Sequence, residues 1–185
     1  MTKQGITRHL AASCLTIAAF GVVALAQAQA PATPKPGPEQ KALGYFVGNW
    51  TGEGEMKPGP LGPGGKMTST DSCQWFEGGF QVVCRGKGTG PMGSMTSLGV
   101  MSYSAADKGY TYYGIDNMGS SELSTGTKSG STWTFGATSH FGGQTFKSRY
   151  TVVEVSPTSY TFKWESSADG TKWATLMEGK STKAK

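Results

Sequence analysis

Cys73-Gln74-Trp75-Phe76-Glu77-Gly78-Gly79-Phe80-Gln81-Val82-Val83-Cys84 is the stretch from which the fold can be read. With Gly78-Gly79 at a two-residue turn, Glu77 faces Phe80, Trp75 faces Val82 and Cys73 faces Cys84. Glycine supplies the positive φ that such turns require. Opposed residues of an antiparallel pair lie about 4.5–5.5 Å apart at Cα, within the span of a disulfide. A loop closed by a hydrogen-bonded Glu77–Phe80 pair makes Cys73–Cys84 a hydrogen-bonded pair too, the wider of the two kinds. One segment thus predicts an antiparallel β fold, a register and an oxidising compartment.

The N-terminus points to the same compartment. Lys3 and Arg8 precede an apolar run from Leu10 to Ala26, and Ala26-Gln27-Ala28 and Ala28-Gln29-Ala30 both read as cleavage sites. Pro31 disfavours the second, so cutting is expected after Ala28, with Ala30 the alternative. Residues 1–28 are read as a cleaved secretory signal peptide, in preference to a retained anchor. Residues 29–38 read as a proline-rich linker and 39–185 as one β-barrel domain. The expected location is periplasmic or secreted. Cys14 leaves with the signal, so Cys73 and Cys84 are the mature cysteines, and a structural disulfide is expected between them. Loss of Lys3 and Arg8 lowers the net charge from +5 to +3. The basic residues are scattered, which argues against a nucleic-acid partner. No second apolar stretch is long enough to span a bilayer as a helix. The sequence carries no signal for an oligomeric state.

Beyond Gly48 the chain is a series of short runs rich in Thr, Tyr, Trp and Val between glycines, of which it has 28 in 185 residues. Ten strands are predicted, at about 47–56, 66–76, 80–88, 95–103, 110–116, 121–127, 131–139, 144–155, 159–167 and 172–182. One or two helical turns within 39–46 precede them, with Leu43 and Phe46 on one side. Trp133, Phe135 and Ala137 share a face, as do Phe146, Tyr150 and Val152, then Tyr160, Phe162 and Trp164, then Trp173, Thr175 and Met177. One apolar and one polar face per strand is the signature of an antiparallel sheet. The expected fold is all-β: a single antiparallel up-and-down barrel, closed so that no edge remains. An outer-membrane barrel would face its apolar side outward, and Lys, Arg, Glu and Thr on the other faces argue against it.

Gly48-Asn49-Trp50 on the first strand resembles the G-x-W signature of lipocalin-like (calycin) barrels. Residues 43–55, Trp75-Phe76-Glu77-Gly78-Gly79-Phe80, residues 98–103 and Lys108-Gly109-Tyr110 resemble a bacterial family of secreted lipocalin-like domains of unknown function, over roughly residues 40–182. That resemblance implies a closed barrel and an exported setting, and no catalytic residues. Residues 47–54 also resemble the start of nitrobindin-type haem barrels, whose haem ligand is a histidine on a late strand. Residues 159–182 contain no histidine.

The candidate ligand-binding residues are the rings Trp50, Trp75, Trp133, Phe135, Tyr150, Phe162, Trp164 and Trp173, with His140 at the barrel mouth. His140 is the one histidine of the mature chain, set before Phe141-Gly142-Gly143; an exposed loop residue is its plainer reading. No catalytic residue, metal site or cofactor is expected. Glu53 and Glu55 share a face opposite to Trp50, which sets a glycosidase pair aside. Gly88 to Gly93 matches G-x-G-x-x-G, but strand-like residues follow where a dinucleotide site needs a helix. Met92, Met95 and Met101 offer thioethers to Cu(I) or simply an apolar lining. Arg85 and Arg149 are the candidates to cap the barrel end against Trp50, and Asn49-Trp50-Thr51 is a sequon on a strand. These residues favour a non-catalytic binder of a small apolar or amphipathic molecule. An envelope interaction protein with a filled barrel is the alternative, and an enzyme acting on a lipid-like substrate near His140 the third reading.

Overall fold

The computed structural model describes residues 33–59, 62–141 and 143–184. The segment read as a signal peptide, residues 1–28, and the start of the expected linker lie outside the described residues. A short helix, α1 (Pro38–Ala42), runs into a 3-10 turn (Leu43–Phe46). Ten strands follow: β1 (Gly48–Met56), β2 (Gly65–Trp75), β3 (Val82–Gly90), β4 (Gly93–Ser104), β5 (Gly109–Asp116), β6 (Ser121–Ser129), β7 (Thr132–Phe141), β8 (Gln144–Ser156), β9 (Ser159–Ser167) and β10 (Ala174–Lys183). Each pairs antiparallel with its chain neighbour, and β1 pairs with β10 to close the barrel. Every strand boundary lies within about two residues of its predicted place.

The disulfide hairpin keeps the predicted register, Cys73 opposite Cys84 and Trp75 opposite Val82. Its loop differs. Phe76 N–H donates to Gln81 O at 2.9 Å, and Gly79 N–H donates to Phe76 O at 3.0 Å. The turn therefore spans four residues, Glu77 to Phe80, with Gly78 and Gly79 both at positive φ. Moving the closing hydrogen bond out by one pair inverts the alternation along the ladder. Cys73 and Cys84 become a non-hydrogen-bonded pair, the closer kind, with Cα atoms 4.0 Å apart and the disulfide formed.

One end of the barrel is plugged. Leu43 and Phe46 of the 3-10 turn are buried in a cluster with Trp50, Val82, Met101, Tyr110 and Trp133. Burying two such side chains contributes roughly 3–6 kcal/mol. The plug is also pinned by hydrogen bonds. The Tyr45 hydroxyl donates to Ser159 O at 2.8 Å and Ser156 O at 3.0 Å, and the Tyr110 hydroxyl donates to Glu39 O at 3.2 Å. Phe46 meets Trp133 edge-on, ring centres 5.0 Å apart, and Trp50 Nε1 donates to Phe46 O at 2.7 Å. At the opposite end Met56 and Leu176 are buried against Met92, Phe146, Trp164 and Met177.

The outer wall is two-sided. Around β8–β9–β10–β1 it carries ion pairs, Arg149–Glu165 at 2.8 Å and Lys180–Glu53 at 2.9 Å. Across β3–β6 the register aligns Val83, Val100, Tyr113 and Leu123 in one outward row. Among the described residues no helix is long and apolar enough to cross a membrane.

Candidate functional site

Between the two apolar ends the barrel encloses a cavity of about 340 Å³. This is at the small end of the ~300–1,000 Å³ range of ligand pockets. Its wall is built by strand alternation, every second residue pointing inward. On β8 and β9 these are Tyr150, Val152, Tyr160, Phe162 and Trp164; on β5 and β7 they are Tyr112 and Phe135; on β1 it is Trp50. Inward glycines make room for the rings. A Cβ on Gly99 or Gly114 would come within 2.6 Å or 2.8 Å of the Tyr112 ring, so that ring lies along the β4–β5 wall. Gly126 receives the Phe135 ring in the same way.

Of the nine residues expected to contact a ligand, Trp50, Phe135, Tyr150, Phe162 and Trp164 line this cavity together. The structure places the other four elsewhere. Trp133 is fully buried in the plug, where Nε1 donates to Glu154 Oε1 at 2.6 Å and Lys128 Nζ lies 4.9 Å from the ring centre. Trp75 is the last residue of β2, at the plugged rim of the barrel, 39 % exposed and beside Gly44 of the 3-10 turn. Trp173 precedes β10, and the Arg149 guanidinium sits 4.1 Å from its ring centre on the outer wall. A bulge between Thr175 and Met177 is the cause: Met177 pairs with inward Trp164, but Thr175 pairs with outward Glu165, so Trp173 leaves the inward set. His140 is exposed on the outer face, its Nδ1 3.0 Å from Thr145 Oγ1.

Polar residues of the cavity escaped the sequence reading. Asp71, Ser69 and Met67 lie inward on β2, and Glu122 and Ser124 on β6. These strands are polar on both faces, so hydrophobic alternation gives no parity signal there. Counting by twos back from the disulfide at Cys73 would have found Asp71 and Ser69. Burial pushes the Asp71 carboxyl above its ordinary range, opposed by the hydrogen bond from Ser69. Burial also raises the phenols: Tyr160 to about 12, and Tyr112 and Tyr150 in the same direction. Glu122 accepts hydrogen bonds from Ser124 at 2.9 Å, from Ser139, and from Ser148 at 3.4 Å.

The cap on Trp50 is neither arginine. Lys183, opposite Trp50 in the β1–β10 register, holds its ammonium 5.0 Å from the indole centre. Gly88 to Gly93 is the end of β3 and its two-residue turn, Pro91-Met92, into β4, with Gly90 opposite Gly93. Glu53 and Glu55 are exposed and paired with Lys180 and Lys57. Met95 and Met101 both line the cavity, Met101 where the wall meets the plug, about 20 Å along β4 from Met95 at strand rise. Among the described residues no three His, Cys, Asp or Glu side chains gather as metal ligands.

No functionally curated protein matches the sequence. Among solved structures, the crystal structure of Rv2717c from M. tuberculosis is similar, with a TM-score of 0.59 and 11 % identity, over 80 % of this chain and 99 % of that one. At that identity the likeness shows the fold alone. A family model described as "protein of unknown function (DUF1579)" matches residues 35–183, nearly the whole described chain, and the protein belongs to that family.

Proposed function

We propose that this is an exported, lipocalin-like barrel that binds a small apolar or amphipathic molecule in its interior and performs no chemistry on it. The observation that carries the reading is the cavity of about 340 Å³, walled by rings and by two carboxylates, beyond the plugged end. Rings supply apolar area to a ligand, and a few inward polar groups orient it. The Cys73–Cys84 disulfide supports a periplasmic or secreted location, as does the signal-like N-terminus, with residues 39–185 acting as one domain.

Native mass spectrometry of protein purified from its own compartment, beside a denatured control, tests this. The expected result is excess mass that denaturation releases and that Ser97→Trp, which fills the cavity wall, abolishes in a folded protein. Excess mass that survives Ser97→Trp would place the ligand outside the cavity. A second reading, an envelope interaction protein, is favoured by the outward row Val83, Val100, Tyr113 and Leu123, where Tyr113 is 47 % and Leu123 63 % exposed.

A further inference from the structure

The charge inside the barrel is one-sided. Asp71, Glu122 and Lys87 are the charged residues around the cavity. Lys87 is exposed and pairs with outward Thr70 and Thr96, so its side chain belongs to the outer wall. The basic residues of the plugged end are engaged: Lys128 with Glu154 at 3.0 Å, and Lys183 over the rings of Trp50 and Tyr45. The interior therefore presents two carboxylates and no free cation among the described residues.

The two carboxylates differ. Glu122 is met by three serine hydroxyls, from β6, β7 and β8. Asp71 receives only the Ser69 hydroxyl, at 3.4 Å, long for a hydroxyl on a carboxylate. Its carboxyl shares the space over Gly86 with a second hydroxyl. A Cβ on buried Gly86 would lie 2.6 Å from Asp71 Oδ1 and 2.5 Å from Ser97 Oγ, so both oxygens converge over that glycine. Tyr112, Tyr150 and Tyr160, from β5, β8 and β9, line the same cavity as Asp71. An ionised carboxyl removed from water without a donor is costly, and aromatic faces attract cations.

We propose that the cavity receives a ligand bearing a protonated amine, its ammonium set against the Asp71 carboxylate and Ser97 hydroxyl among the rings of Tyr112, Tyr150 and Tyr160. This rests on the reading of the barrel as a small-molecule binder and names the class it selects. An ammonium supplies the donors that Asp71 lacks and gains Coulombic attraction in a site of low dielectric. A carboxylate ligand would be repelled by Asp71 and Glu122 together. A neutral ligand would leave Asp71 desolvated with only the long Ser69 hydrogen bond.

Three probes that differ at one end test it: 2-phenylethylamine, 2-phenylethanol and 3-phenylpropionate, titrated into the full mature protein at pH 7 by calorimetry. The amine is expected to bind about tenfold or more tighter than the alcohol, and the acid most weakly. Asp71→Asn should bring the amine to within about threefold of the alcohol while leaving the alcohol's affinity unchanged. Glu122→Gln, which leaves Asp71 in place, should keep the amine first. Equal binding of amine and alcohol, or an amine preference that survives Asp71→Asn, overturns the proposal and leaves the binding reading standing. Failure of all three probes to bind overturns both.

Discussion

Gly99→Ala tests the cavity wall most directly, because its expected sign is opposite to the usual one. Replacing a strand glycine with alanine ordinarily stabilises by about 0.5–1 kcal/mol, since glycine loses more backbone freedom on folding. Here the new Cβ would stand 2.6 Å from Cε2 and Oη of Tyr112 and 2.9 Å from Cζ. Carbon contacts relax at about 3.5 Å, so the ring must retreat by about 1 Å. Gly114 lies behind the same ring, with its own Cβ direction 2.8 Å from Cε1, which leaves the cavity as the direction of escape. Overpacking of this kind costs about 1–3 kcal/mol, and an off-rotamer ring accounts for about 0.5–1.5 of it. After the backbone gain, a net loss of about 1–2 kcal/mol is expected. It would be read as a lower urea midpoint at unchanged slope, or roughly 2–8 °C in Tm. In a Tyr112→Ala background the same substitution should cost nothing, giving a coupling of at least about 1 kcal/mol. Additivity of Gly99→Ala and Tyr112→Ala within about 0.5 kcal/mol would refute the placement of the ring on Gly99.

Two aspartates should move stability with pH in opposite directions. Asp169 is held well below the carboxylate range by the backbone N–H groups of Thr171 and Lys172 and the hydroxyls of Thr171 and Ser167. Its contribution is present above the unfolded pKa and lost as pH falls through the folded one, so Asp169→Ala should destabilise at pH 7, with the gap closing in acid. Asp71 is raised by burial, so the native state binds its proton more tightly than the unfolded chain does. Stability falls as pH rises through that window, and Asp71→Asn should melt higher than the parent at pH 7, an advantage absent at a pH where the Asp71 carboxyl is protonated in the folded and unfolded states alike. Finally, Cys73 and Cys84 are 11 residues apart in sequence, and loop-closure entropy puts their bridge at about 3 kcal/mol. Reductant should lower the urea midpoint of the parent but not of the Cys73→Ser, Cys84→Ser double variant.

The fold was legible because the strands with the clearest alternation, such as Tyr160-Phe162-Trp164 against Thr161-Lys163-Glu165, face a ring-lined interior on one side and solvent on the other. The register of β2 and β3 was legible because two cysteines mark the same cross-strand position. Loop length was not: Gly78-Gly79 suits a two-residue turn and a four-residue one equally, and only the Phe76–Gln81 hydrogen bond distinguishes them. Trp173 was misplaced because a bulge leaves no mark in the hydrophobic pattern until the partner strand is known. The site was about half legible. Rings reveal their side of a strand by periodicity, whereas Asp71 lies in a run of Thr and Ser where both faces read as solvent.

The closure of the barrel also sets an order of assembly. Nine of the ten strand pairings join consecutive strands and can form over short loops, but the seam of β1 with β10 brings Trp50 opposite Lys183. Loop-closure entropy makes such distant pairing late and slow, so the seam is expected to close last, after the final strand is available. Until then β1 and β10 both present open edges, and the rings of the interior are wet. The same seam makes the two ends neighbours, with Ala184 N–H donating to Asn49 O at 2.8 Å. A linker from the end of β10 to the segment ahead of α1, which keeps the plug, with new termini opened in the β5–β6 turn, should yield a circular permutant of the same barrel.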